Sequence, residues 1–193
     1  MKKYFIFFIL IFSCDSQKLN WFEGTLEEAF ELPNNKIIMV DFYTDWCLPC
    51  KQLDSETFTN NEVIQNIKNN FIPIKINAES KYGMPLFEKF KGTGYPMIIF
   101  FDKNKNEIDR MYGYYSAKTF LKKLNNISSG NGTFTDLLTK YKLGDNSSTT
   151  IFELAKKYFS KGDYDSSIEL YEKVLENKDL SYNMFHESNY AIS

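Results

Sequence analysis

The order of apolar segments predicts an α/β sandwich with a mixed central sheet, followed by an α-helical hairpin. Three observations carry that prediction. Two apolar runs, 37–43 and 71–76, are separated by helical stretches, the pattern of strands joined by a crossover. Two more, 97–101 and 107–112, are separated only by the polar turn 102–106, the pattern of a β-hairpin. From residue 134 onward, apolar residues recur at helical spacing and no strand signal returns.

Each element has a local cause. Thr25-Leu26-Glu27-Glu28 is a capping-box pattern that opens an amphipathic helix through Ala29, Phe30 and Leu32, and Pro33-Asn34-Asn35 ends it. Ile37 to Tyr43 is continuously apolar apart from Asp41, as expected of a central strand covered on both faces. Trp46 to Lys51 leads into a second helix, and Val63 to Ile67 lies in a third. Phe71 to Ile76 is the next strand, and Pro85 suits the first turn of a short helix ending at Phe90. Met97 to Phe101 and Glu107 to Tyr112 complete the sheet, and Ser116 caps a helix through Leu124.

Composition narrows the function classes. The chain has 193 residues, 43% hydrophobic and 17% aromatic, enough for one or two domains. A charged fraction of 25% excludes wholesale disorder. A net charge of −2 argues against nucleic acid as the main partner, because phosphate binding needs a clustered positive field. Arg110 is the single arginine, so bidentate arginine recognition is not expected to be a theme. No apolar run reaches the roughly 20 residues of a membrane-spanning helix.

Residues 1–13 have the layout of a secretory signal peptide: Met1-Lys2-Lys3 is positive, Tyr4 to Phe12 is apolar, and Ser13 is small. Ile11-Phe12-Ser13-Cys14 also resembles a bacterial lipobox. That resemblance implies lipidation of Cys14, with residues 14–20 as lipidated N-terminus and polar tether. The expected location is the cell envelope, facing the periplasm and anchored to a membrane by acyl chains. A plain signal peptide with an incidental cysteine is the alternative.

The chemistry gathers around Trp46-Cys47-Leu48-Pro49-Cys50. Two cysteines three apart at a helix start can close a small disulfide ring. The first sulfur meets the unpaired N–H groups and dipole of the helix N-terminus, which favour thiolate. Cys47 is therefore the expected nucleophile and the more buried Cys50 the resolving thiol, acting through a mixed disulfide. Pro49 stiffens the loop, and Trp46 offers a flat surface to a partner chain. Structural zinc would need two further ligands that the chain does not offer at suitable spacing, so no metal and no cofactor are expected. Asp41, six residues before Cys47 on the strand, has a carboxyl whose pKa burial should raise, suiting it to take a proton from Cys50. Lys75 is either its counter-charge or an outward lysine. Tyr95-Pro96 opens the third strand and is a candidate cis bond, which would present the Tyr95 backbone to an extended substrate.

The run Val40-Asp41-Phe42-Tyr43-Thr44-Asp45-Trp46-Cys47-Leu48-Pro49-Cys50-Lys51 closely resembles the active-site segment of thioredoxins, and Gly94-Tyr95-Pro96 resembles their cis-proline loop. Lys75, Asn77 and Gly113 also match. Asn20-Trp21-Phe22 and Glu56-Thr57-Phe58 look more like the C-terminal domain of DsbD-type thiol:disulfide interchange proteins. The resemblance implies a thioredoxin fold over 21–127, redox exchange with protein disulfides, and catalytic roles for Cys47, Cys50 and Asp41. It implies substrate contact by Trp46, Pro49, Tyr95 and Pro96, and a membrane thiol carrier as electron donor. Leu48 and Met97 stand where the family commonly has glycine and threonine, and both positions tune the couple.

The remainder reads as a linker with a short helix, 128–149, then a helical segment, 150–193. Leu154, Ala155, Tyr158, Gly162, Tyr164, Ile168, Tyr171 and Val174 fall at tetratricopeptide-repeat spacings, which implies a partner-protein surface. Ser167 stands where such repeats carry a small alanine. One repeat cannot bury its own face. The segment either docks on the first domain or belongs to a longer array, and a truncated array is the favoured expectation. His186 lies there and is expected at the surface. A scaffold binding envelope proteins, with incidental thiols, is the alternative to an oxidoreductase.

Overall fold

The computed structural model of the protein describes residues 18–176 and 180–192, so the expected leader and Cys14 lie outside the described residues. In chain order the elements are α1 (Leu26–Phe30), β1 (Ile37–Tyr43), α2 (Leu48–Gln52), α3 (Asn61–Asn70), β2 (Phe71–Asn77), α4 (Gly83–Lys89), β3 (Met97–Phe101), β4 (Glu107–Tyr112) and α5 (Ala117–Ser129). Four more helices follow: α6 (Phe134–Lys142), α7 (Ser148–Ser160), α8 (Tyr164–Leu175) and α9 (Tyr182–Ala191). The described strands form a mixed sheet in the order β2-β1-β3-β4. The pair β1–β2 is parallel, while β1–β3 and β3–β4 are antiparallel. This is the thioredoxin arrangement.

Alternation of side chains gives the sheet two cores. Ile38, Val40 and Phe42 of β1 join Ile74, Ile76, Met97 and Ile99 under α1 and α4. Met39 of β1 joins Phe71, Ile98 and Phe100 under α3 and α5, with Val63, Ile67, Phe120 and Leu124 packed across from them. Asp41 follows the parity of Met39, so its carboxylate enters the α3/α5 side, where it is 1% exposed.

The helix starts are chemically specified. Thr25 accepts from the Glu28 amide at 3.2 Å, and the Glu28 carboxylate accepts from the Thr25 amide at 2.7 Å, so the capping box forms. Ser116 is the N-cap residue of α5 but makes no side-chain bond to the helix backbone; its hydroxyl meets Thr119 instead. The first helix stops at Phe30, short of the expected Leu32, and two later boundaries also differ from the sequence expectation. The helix expected to stop at Leu124 runs to Ser129, and Gly130 ends it in a left-handed conformation (φ 73°). Ser147 caps α7, accepting from the Thr150 amide, so residues 148 and 149, expected as linker, belong to a first helical turn.

Helices α6, α7 and α8 share a third core built on Leu137, Ile151, Phe152, Leu154, Ala155, Leu170, Tyr171 and Val174. The segment docks on the first domain. Lys157 on α7 reaches Asp109 on β4 at 2.6 Å, and Lys161 just beyond α7 reaches Glu107 at 2.8 Å. Four helical residues advance about 6 Å, and two strand residues advance nearly the same distance. The two ion pairs therefore hold α7 antiparallel to β4. Arg110, next after Asp109, forms a bidentate pair with Glu107 at 2.7 Å through both Nε and Nη2, so the arginine geometry set aside from composition does occur, as an internal tie. Ser167 fits its buried position because its hydroxyl donates to the Ala155 carbonyl at 2.9 Å. His186 is at the surface beside Tyr182.

Candidate active site

Strand β1 ends at Tyr43, and a tight turn delivers Cys47 to the N-cap of α2, its amide donating to the Thr44 carbonyl at 3.2 Å. Pro49 sits in the first helical turn, where a missing N–H costs nothing. Cys47 and Cys50 are joined by a disulfide, with Cα atoms 5.3 Å apart. The Cys50 amide donates to the Cys47 sulfur at 3.2 Å, while no such donor is directed at Cys50 among the described bonds. The expected contrast in burial is not seen: Cys47 is 3% and Cys50 2% exposed. Closing the ring puts both sulfurs in one environment, so the amide contact, not burial, separates them. Trp46 (63%) and Leu48 (74%) stand exposed on either side of Cys47.

Behind the loop lies Asp41. It pairs across the sheet with Lys75, whose ammonium is 3.5 Å from Oδ2. Its Oδ1 is buried with no hydrogen-bond partner among the described residues. Burial lifts this carboxyl to about 6; the Lys75 charge opposes that rise and the Asp54 charge adds to it. Lys75 also forms a close ion pair with Asp54, and its ammonium faces the rings of Tyr43 (5.0 Å), Trp21 (5.2 Å) and Phe58 (5.8 Å). Of the two readings of Lys75, the counter-charge is the one observed. Asp54 went unnoticed in the sequence. It lies on a π-helical turn, Leu53–Thr57, that continues α2, and nothing in the local pattern announces that turn.

The Tyr95–Pro96 bond is cis, as the sequence suggested. The Pro96 carbonyl accepts from the Gly113 amide at 2.9 Å; Gly113 holds φ +80°, which explains a glycine there. The Tyr95 ring meets Trp46 edge-on at 5.7 Å and stacks on Phe87 of α4 at 4.7 Å. Trp46 is steadied by its indole N–H, which donates to Glu79 at 2.9 Å. The structure thus brings Trp46, Cys47, Pro49, Cys50, Tyr95 and Pro96 to one end of the sheet, with Asp41 beneath. Glu79 and Phe87 are further parts of this site that the sequence did not single out, since their contacts cross between elements.

Comparison with known proteins agrees with this geometry. A family model described as a thioredoxin-like domain matches residues 26–128. The thiol:disulfide interchange protein DsbD of Yersinia pestis is 33% identical over 104 residues, covering 52% of this chain and 18% of the relative. The chain therefore spans less than a fifth of the length of that curated relative. A solved candidate disulphide-isomerase from Bacteroides thetaiotaomicron superposes with a TM-score of 0.52 at 26% identity, covering 58% of this chain and 94% of that one. A DsbH oxidoreductase structure shares the fold, with a TM-score of 0.50 at 18% identity, covering 59% of this chain and 87% of the other. With its redox-type cysteine loop, cis proline and mixed sheet in place, and with its similarity to DsbD over that region, the chain belongs to the thioredoxin-like domain family.

Proposed function

We propose that the protein is a thiol:disulfide oxidoreductase that exchanges disulfides with other proteins. The observation that carries this reading is the Cys47–Cys50 disulfide at the start of α2, flanked by exposed Trp46 and Leu48. In the reducing direction the Cys47 thiolate attacks a substrate disulfide. An S–S bond forms between Cys47 and the substrate, and the substrate's other sulfur leaves as thiolate and takes up a proton. Cys50 loses its proton to Asp41 and attacks the Cys47 sulfur. The substrate leaves as a dithiol, two electrons richer, and the Cys47–Cys50 bond closes. The Cys50 amide, directed at the Cys47 sulfur, favours Cys47 as the nucleophile because it would stabilise a thiolate there. An Asp41 carboxyl near 6 is suited to accept and return a proton near neutral pH.

Trp46, Pro49, Tyr95 and Pro96 form the lip on which a substrate segment lies. We further assign the chain to the periplasmic face of the cell envelope, lipid-anchored through Cys14, with a membrane thiol carrier as electron donor and a protein partner for the C-terminal helices. The first 20 residues and the likeness to DsbD support that placement. The test is trapping: a Cys50→Ser variant should accumulate mixed disulfides through Cys47, and Cys47→Ser should accumulate none. A Cys50→Ser protein that captures nothing overturns the reading. Membrane release on Cys14→Ser tests the anchor.

A further inference from the structure

We propose that Arg110 is a positioning residue for exchange with protein disulfides, through which the C-terminal helices set the shape of the substrate lip. The inference rests on the proposed exchange function and deepens it.

Arg110 is on β4 and 6% exposed, so its guanidinium must be satisfied within the protein. Its Nε and Nη2 are held by the Glu107 carboxylate. Its Nη1 is aimed elsewhere. It donates to the Phe90 carbonyl at 2.8 Å, closing the C-terminal end of α4. It also lies 4.0 Å from the Met97 sulfur, 3.4 Å from the Tyr112 hydroxyl and 3.5 Å from the Ser160 carbonyl at the end of α7. One rigid fork thus touches β3, β4, α4 and α7. A lysine could not span these groups, because it offers a single point of charge on a flexible stem.

Two of those contacts lead to the lip. Met97 directly follows Pro96, and Tyr112 pairs with Met97 in the ladder. Helix α4 carries Phe87, whose ring stacks on Tyr95, which in turn meets Trp46. The other side of the fork leads to the tail. Lys161 shares the Glu107 carboxylate, and Gly162 lies against Lys91, just past α4. A Cβ on Gly162 would come within 3.4 Å of Lys91, so tail and α4 are already at packing distance. Arg110 is therefore the tie between the helical tail and both walls behind Tyr95–Pro96.

Placement of the lip matters for a substrate that lies along it and not for one that meets only the sulfurs. The test compares two disulfides: insulin, and oxidised glutathione, which is too small to use the lip. For Arg110→Ala the expected result is a KM for insulin raised about tenfold with kcat within about twofold, and glutathione kinetics within about twofold of wild type. Arg110→Lys should not restore the insulin KM. Lys161→Met, which loosens the tail side without touching the arginine, should raise the insulin KM in the same direction. If Arg110→Ala does not melt cooperatively, Lys161→Met decides alone. An unchanged insulin KM, or equal losses toward both disulfides, overturns the positioning role while leaving the exchange function standing. A wild-type protein inert toward both disulfides overturns the exchange function itself.

Discussion

Asp41 and Asp109 are both strand aspartates, both buried, and both face a lysine, yet their burial is satisfied differently. Asp109 gives each oxygen to the Lys157 ammonium, at 2.8 and 2.6 Å. Asp41 stands 3.5 Å from Lys75 by one oxygen, and its other oxygen has no partner among the described residues. In both cases burial raises the carboxyl, but the Asp41 ammonium is shared with Asp54. The saturated carboxylate holds a helix to a strand. The unsaturated one costs stability and sits behind the redox loop. A buried acid with unmet hydrogen-bonding capacity is poised to gain and lose a proton; one fully clasped is a fastener.

The widest gap between the two acids should come from Asp41→Asn. Under the proposed mechanism, insulin reduction near neutral pH should slow about 100-fold, the low end for a lost general base. Stability should move the other way. The folded carboxyl is at about 6, above its ordinary 3.8, so the folded state holds its proton longer than the unfolded state. Well below pH 3.8 both states are protonated and the acid costs nothing. The penalty grows as pH rises to about 6 and is then complete. A carboxyl raised from 3.8 to about 6 corresponds to a penalty of at most about 3 kcal/mol. Urea melts at pH 4 and pH 7 should show the variant gaining most at pH 7.

For the fastener the sign reverses. Lys157→Met leaves the Asp109 carboxylate buried without its ammonium and should cost about 2–4 kcal/mol at pH 7. The loss should shrink toward pH 4, where Asp109 can protonate; a loss equal at both values would show that the methylene packing, not the charge, held α7 down. Lys75→Met sharpens the comparison from the other side. Removing the opposing cation should lift the Asp41 midpoint above 6, read from the pH dependence of Cys50 alkylation in the reduced protein. The smallest effect belongs to Ser167→Ala. It removes the hydroxyl that meets the Ala155 carbonyl and should cost about 1 kcal/mol in a thermal melt.

What was legible in the sequence is what acts over a few residues. The capping box at Thr25, the Cys47–Cys50 loop, the strand runs and the cis Tyr95–Pro96 bond are each set by their immediate neighbours. Asp41 was legible because a charge inside an apolar strand is costly wherever that strand lies. The residues that went unread act across the fold. Asp54 meets Lys75 only because α2 continues into a π-helical turn. Lys157 and Asp109 are 48 positions apart and become partners only when α7 lies along β4. Arg110 was set aside on composition, because its partners come from four elements that only the fold brings together. Ser147, Ser148 and Thr149 read as linker, since the same hydroxyls serve a coil and a helix start equally well.

Pro73 stands in the middle of β2, at one end of the sheet order, and its carbonyl already accepts from the Phe22 amide at 2.7 Å. A strand arriving there from another molecule would find one donor missing and one acceptor taken. At the opposite end, α7 occupies the approach to β4 through two ion pairs that an incoming strand would have to break. Under the proposed function this protein spends its time against extended segments of other chains. Its own sheet is protected at both ends against being used as a template for cross-β growth, so capture is confined to the cysteines and their lip.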